Sequence, residues 1–349
     1  MWASSPSSGK GGMIMNTKSI QPIILLALFV PVLVTAAEFQ NVGRAGANFL
    51  QIPGDAVSAA LGDANVAMLE GVQGLYGNPA AIALSGGPEA LFSYTDWIAD
   101  TKLMTAGATM GIGTFGTIGI GVVSLSMDAM DVTTEFQPNG TGETFDAGDL
   151  AAGLSFSSQV TDRFTWGVTA RFVHEYIWDN TSSTMAFDVG STYRADFMNL
   201  RIGMIIGNFG GNLEMSGDQI DDRLDEEANE DVENNPQEER LNQDYTLPQY
   251  FNVGIAFDPW VVENHRLTLA AMANDPNDNE TRLSFGAEYT FQDMLFLRAG
   301  YKAQYEEQGI SAGAGFSLEL SGITSMLDYA FTDFGILGSI HHITLRLNL

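Results

Sequence analysis

From Glu89 onward, apolar residues return at every second position, in segments of about ten residues or more. In "FTWGVTARFVHEYIW", Phe164, Trp166, Val168, Ala170, Phe172, His174, Tyr176 and Trp178 fall on one face. Thr165, Gly167, Thr169, Arg171, Val173 and Glu175 fall on the other. The same rule sets Leu283, Phe285, Ala287, Tyr289 and Phe291 against Ser284, Gly286, Glu288 and Thr290. At the end of the chain, Ile343, Leu345, Leu347 and Leu349 oppose His342, Thr344, Arg346 and Asn348. Successive side chains of a strand point to opposite sides, so this pattern means strands with two unlike faces.

Alternation alone fits a soluble sandwich, which hides its apolar faces, or an outer-membrane barrel, which turns them to lipid. Three features favour the barrel. Aromatic residues sit at strand ends (Trp97, Trp166, Trp178, Tyr305, Phe291), as in interfacial girdles. The strands reach the length a tilted membrane strand needs. The second face mixes glycine with single charges, which makes a poor dry core. Fourteen segments are predicted: 89–98, 101–110, 115–127, 145–158, 163–177, 182–195, 199–208, 249–258, 264–273, 281–291, 294–305, 309–320, 322–332 and 339–349. Connections after even-numbered segments are mostly short, and the two longest, 128–144 and 209–248, follow odd-numbered ones. Bacterial barrels have that asymmetry, with short periplasmic turns and longer outer loops. The even count brings both ends to the periplasmic side. The exception is 259–263, "PWVVE", which reads as a slightly long inner turn. The expected fold is an all-β transmembrane antiparallel barrel in a bacterial outer membrane.

Residues 1–37 read as a secretory signal peptide to be removed. Lys10 and Lys18 precede an apolar run, Pro22 to Val34, which ends at Thr35-Ala36-Ala37. That run is too short for a transmembrane helix. The chain has no Cys, which excludes disulfides, thiolate metal sites and lipid attachment at cysteine. Without the leader, 13 basic residues remain against 43 acids, a formal charge of −30. Such a chain repels phosphate backbones, so nucleic acid is a poor partner.

About fifty residues, 38–88, precede the first strand. Val57 to Met68 is small, apolar and helix-like, and "GLYGNPAAIAL" runs from a loop into a short helix from Asn78 to Leu84. Asn78 suits the N-cap and Pro79 the first helical position. A fourteen-strand barrel is wider than its own side chains can fill, and the many lumen-facing glycines leave room for more chain. The segment is expected to be a helical hatch inside the barrel, with Tyr76, Asn78, Pro79 and Ala80 at its centre. Asn78 is expected to cap the helix and tether it to the wall, with Tyr76 packed beneath.

"GDAVSAALGDANVAMLEGVQGLYGNPAAIAL" and the ending "LDYAFTDFGILGSIHHITLRLNL" resemble the PorV/PorQ family, within the class of long-chain-fatty-acid-transporter-like (FadL-like) barrels. The shared core of the first stretch is Asn78-Pro79-Ala80; Leu69-Glu70-Gly71 departs from the family's frequent Ala-Asp-Asp. The resemblance implies a non-enzymatic role in type IX protein secretion, docking exported cargo or partner subunits. The wider class implies the alternative, a transporter for hydrophobic small molecules gated by the hatch.

Further candidates come from charge and apolar placement. Arg171, Glu175, Asp188, Arg194, Arg298, Lys302, Glu319, Asp328 and Arg346 are expected to face the lumen, ion-pairing with the hatch or lining a solute path. Phe334, Ile336 and Leu337, in the last outer loop, form an apolar docking candidate. The acidic run from Glu214 to Asp244 reads as a solvated outer loop, or as a surface for a basic partner or for cations shared with lipopolysaccharide. It lacks the central glycine of an EF-hand. "NDPNDNE", Asn274 to Glu280, reads as a turn, with calcium as the rarer reading. The four histidines belong to no Ser–His or His-Glu-x-x-His motif, so neither an enzyme nor a cofactor or metal site is expected. Besides secretion proteins, the expected partners are outer-membrane lipid and lipopolysaccharide.

Overall fold

The computed structural model describes residues 43–217 and 244–349. The predicted leader, residues 38–42 of the predicted hatch and the acidic residues from Asp218 to Glu239 lie outside the described residues.

Fourteen antiparallel strands close into a barrel. They are β1 (Glu89–Asp96), β2 (Lys102–Gly111), β3 (Thr117–Ser126), β4 (Ala147–Thr161), β5 (Phe164–Ile177), β6 (Asn180–Ala195) and β7 (Leu200–Gly210). The second half is β8 (Tyr250–Val262), β9 (His265–Pro276), β10 (Arg282–Phe291), β11 (Leu295–Ala303), β12 (Ile310–Leu320), β13 (Ile323–Asp333) and β14 (Ser339–Asn348). β1 closes the barrel against β14, with Glu89 opposite Asn348 and Asp96 opposite His341. Each predicted segment has its strand, with ends displaced by four residues at most.

The expected inner turn at 259–263 is corrected. β8 continues through Pro259 to Val262, and its register against β9 shifts between Phe257 and Trp260. A proline cannot donate to the ladder, and a bulge is where a sheet tolerates one. The turn shrinks to Glu263 and Asn264, with Glu263 at φ 47.

Outward side chains are apolar and uncovered around the circumference: Ile120 is 62% exposed, Leu154 60% and Leu327 56%. A monomer in water does not sustain such a band; the hydrocarbon of a bilayer covers it. Trp260, His265 and Tyr289 stack at the end with short turns, with centroids 5.8 to 6.5 Å apart. Trp178 beside Phe145, and His341 between Tyr329 and Phe331, mark the other end. The long connections identify that second end as the outer one. The protein is an outer-membrane β-barrel.

Residues 43–88 occupy the lumen. Near the outer end, the Gly46 amide donates to the Thr246 carbonyl and the Gly43 amide to the Asp278 carbonyl. The chain then forms α1 (Ala56–Ala60), the one-turn α2 (Gly74–Gly77) and a 3-10 helix over Pro79–Leu84, and leads into β1. The helical reading of Val57 to Met68 is shortened. Gly62 (φ 60) and Asp63 (φ 63) are both left-handed, which ends α1 and turns the chain.

Candidate functional site

Asn78 is fully buried and holds three pieces of the molecule together. Its Oδ1 accepts from the Ala80 amide at 3.1 Å, capping the 3-10 helix that Pro79 opens. Its Nδ2 donates to the Val66 carbonyl within the hatch and to the Ser191 carbonyl on β6, both at 3.2 Å. The expected cap and tether are thus one side chain. Tyr76 is corrected: its ring lies against Gly54 and the wall glycines Gly107 and Gly121, not beneath Asn78. Tyr76 lies in α2, whereas Asn78 ends it in extended backbone at φ −163 and ψ 107, so the two side chains take different courses. Burial pushes the Tyr76 hydroxyl well above the ordinary tyrosine value.

Hatch and wall meet backbone to backbone at glycines. A Cβ on Gly167 (β5) meets the Pro79 carbonyl and the Ala80 amide, and one on Gly190 (β6) meets Asn78. Gly203 (β7) faces the Val66 carbonyl, Gly286 (β10) faces Leu61, and Gly300 (β11) faces Leu61 and Gly62. Several of these glycines are cross-strand partners: Gly167 with Gly190, Gly286 with Gly300, and Gly203 with Gly254. A Cβ added at any of them would point into the lumen toward the hatch, so these glycines form a belt at hatch height.

The predicted lumen charges divide into two groups. Glu175 accepts from the Ala47 amide at 2.9 Å, Lys302 pairs with Asp63 at 2.5 Å, Arg346 donates to Gln73 at 2.7 Å and Arg194 pairs with Glu70 at 2.6 Å. These four hold the hatch. Arg171 pairs with Asp188 at 2.9 Å, and Arg298 binds both Glu288 (2.7 Å) and Asp328 (2.6 Å). These brace the wall itself. Glu319 has the inward phase of β12, but it is exposed near the periplasmic end.

Three features escaped the sequence reading. Glu89 Oε2 accepts from the Val72 amide at 2.7 Å. Arg201 pairs with Asp258 at 2.7 Å, and Asp258 also accepts from Thr268 and Asn199. Asp55 caps α1 through the Val57 and Ser58 amides and accepts from Ser58 Oγ (2.7 Å) and Gln73 Nε2 (3.0 Å). Ser58 Oγ accepts in turn from Asn65 Nδ2 at 2.7 Å. A polar chain therefore runs Asn65–Ser58–Asp55–Gln73–Arg346.

That chain stands between two cavities. The outer one, about 150 Å³, has a mixed lining: Ile52, Val66, Tyr76, Tyr250, Met272 and Tyr305 stand beside Ser58, Asp63, Asn65, Asn252, Arg282 and Lys302. Arg282 and Lys302 lie 4.5 and 5.2 Å from the centre of the Tyr305 ring, within cation–π range. The inner one, about 230 Å³, is walled by Val57, Leu61, Met68, Phe296 and Met326 with several arginines. Asn65 lines both. Each space is of the size that admits a benzene-like molecule.

In the last outer loop, Phe334 is 5% exposed and packs edge-on against Trp97 at 5.1 Å. Ile336 is 89% exposed and Leu337 51%. Phe334 thus anchors the loop, and the other two residues form its free apolar surface. Within Asn274 to Glu280, Asp275 accepts from Thr281 and Asp278 from Gln51, so the segment fastens the hatch entrance. His174, His265 and His341 bond to Ser183, Tyr289 and Tyr329, and the buried His342 to Thr95.

Neither a protein-family model nor a curated protein matches this chain. Solved structures with a similar fold include three barrels matched along most of their length. The chain resembles the toluene transporter TodX of Pseudomonas putida at 13% identity and a TM-score of 0.54, covering 85% of this chain and 97% of that one. It resembles the Ralstonia pickettii toluene transporter TbuX at 12% identity and a TM-score of 0.51, covering 84% and 96%. A Pseudomonas aeruginosa FadL homologue is similar at 11% identity and a TM-score of 0.51, covering 84% and 97%. The fold is FadL-like.

Proposed function

We propose that this barrel carries small, largely apolar molecules across the outer membrane, with the hatch as its gate. The observation that carries the reading is the pair of cavities meeting at Asn65. What divides them is a run of side-chain hydrogen bonds, each worth about 1 kcal/mol net, so moving a few side chains joins the two spaces at small cost. The tyrosine rings and aliphatic side chains set within this mixed polar lining can hold a monoaromatic body, and the similarity to two toluene transporters supports the same class. No catalysis is involved in this role. Uptake of labelled toluene by intact cells tests it: cells displaying the protein should take up the label faster than vector controls, and equal rates refute transport.

A second reading is protein docking of the PorV/PorQ type, in which the outer rim receives exported cargo. The exposure of Ile336 and Leu337 favours it. A mild-detergent pull-down from the native membrane tests this reading. Recovery of secretion components or exported proteins supports docking, and loss of their capture on Ile336→Ser ties it to this loop.

A further inference from the structure

At the periplasmic end of the lumen, Arg201, Arg266, Arg298 and Arg346 line the inner cavity together with just two acids, Glu70 and Glu288. The chain has 15 basic residues against 43 acidic ones, so this gathering runs against its composition. Asp258 and Asp328, the partners of Arg201 and Arg298, are 4% and 2% exposed and do not line the space. They stand behind the arginines they balance. Among the described residues, Arg346 has no carboxylate partner; it donates to Gln73 Oε1 and to the Met326 sulfur. Arg201 Nε is buried with no hydrogen-bond partner. Arg346 thus lines the cavity with neutral acceptors only, and Arg201, though paired with Asp258, keeps one donor without an acceptor. Val57, Leu61 and Phe296 add apolar surface to the same lining, with the Arg298 guanidinium 5.1 Å from the centre of the Phe296 ring.

We infer that this vestibule binds a small organic anion, one acidic group on an apolar body, with Arg346 and Arg201 as its anchors. The planar guanidinium fork matches a carboxylate or sulfonate, and a charge-assisted bond there is stronger than the amide contact it replaces. An anion on Arg346 competes with Gln73 Oε1. Gln73 is bound to Asp55, so occupancy acts directly on the polar chain that divides the two cavities. The inference deepens the transport reading and rests on it for one point, the arrival of the anion through the lumen.

Benzenesulfonate is a suitable probe, titrated by calorimetry into the full-length protein in detergent. Saturable binding is expected, weakened at least about tenfold by Arg346→Gln, the loss that follows removal of one charge-assisted bond. Arg201→Gln should weaken it similarly, and Arg346→Lys, which keeps the charge without the fork, should retain part of the affinity. Arg163→Gln, at an exposed ion pair on the same end, should leave binding unchanged. Heat-shifted migration on gels confirms a folded barrel for each variant; should Arg346→Gln not fold, Arg201→Gln carries the test. Absence of saturable binding, or wild-type affinity in the folded variants, overturns the site. Proteoliposomes of one orientation then separate the sources. Binding from the outer-loop side identifies the anion as a transported solute, and binding from the periplasmic side alone identifies a free periplasmic anion and removes the lumen route. Detergent binding requires no transport, so failed toluene uptake alongside Arg346-dependent binding refutes the transport reading and leaves this site standing.

Discussion

Lys302, on the wall strand β11, and Asp63, at the left-handed turn of the hatch, form an ion pair at 2.5 Å beside the outer cavity. The Lys302 side chain is 6% exposed; besides Asp63, its ammonium donates to the Gln308 amide oxygen at 2.6 Å and lies 5.2 Å from the centre of the Tyr305 ring. Asp63→Asn leaves that ammonium poorly matched. The expected cost is about 1–3 kcal/mol, discounted toward the lower end because Asp63 is 26% exposed. The hatch should become easier for added protease to cut while the barrel still migrates as a folded species.

Asn78 makes a sharper prediction because its two ends bond to opposite partners. Asn78→Ala removes the cap and both tethers, an expected loss of about 2–4 kcal/mol of hatch docking. Asn78→Asp keeps the cap acceptor but points a carboxylate oxygen at the Val66 and Ser191 carbonyls. It should therefore loosen the hatch at least as much as alanine, despite its similar shape. Leakage of a small dye from proteoliposomes reads this; unchanged leakage in both variants contradicts the tether.

The glycine belt predicts a position-dependent cost for one methyl group. Gly190→Ala drives a Cβ into Asn78, and Gly167→Ala drives one into the Pro79 carbonyl, where backbone cannot yield. About 1–3 kcal/mol of overpacking is expected at each, seen as raised conductance or leakage. Gly111→Ala, which meets nothing within 4 Å, should behave as wild type.

Tyr76 predicts the response to alkali. Burial raises its hydroxyl above the ordinary value of 10.0, so the docked hatch disfavours the phenolate. Its contribution is fully present below pH 10 and is lost as the pH rises toward the raised value. Protease sensitivity of the hatch should increase above about pH 10, and Tyr76→Phe should remove that part of the increase.

The strands were legible because period two needs no partner to be seen: Phe164 to Trp178 show their faces in the sequence itself. Pro259 misled because proline usually punctuates, and only the register against β9 reveals the bulge that accommodates it. The hatch was legible as a filler and as a cap at Asn78, but its course was not. Runs such as Ala56 to Ala60 carry no periodic signal, and Gly62 and Asp63 turn the chain where small apolar residues suggest one helix. The inward charges could be counted on strand faces. Which of them reach the hatch, as Lys302 does, and which pair along the wall, as Arg298 does, depends on cross-strand register and on the hatch path together. The Asn65–Ser58–Asp55–Gln73–Arg346 chain was invisible for the same reason, since it joins residues up to 291 positions apart only after the barrel closes around them.

The central claim is that the Ser58–Asn65 contact divides one path into two cavities. The chain contains no cysteine, so Ser58→Cys with Asn65→Cys introduces the sole pair of thiols. Toluene uptake by cells displaying this double variant should fall to the vector level after oxidation and return on reduction. Uptake that is the same in the oxidised and reduced states, with the disulfide confirmed by mass spectrometry, would place the solute path elsewhere and contradict the account.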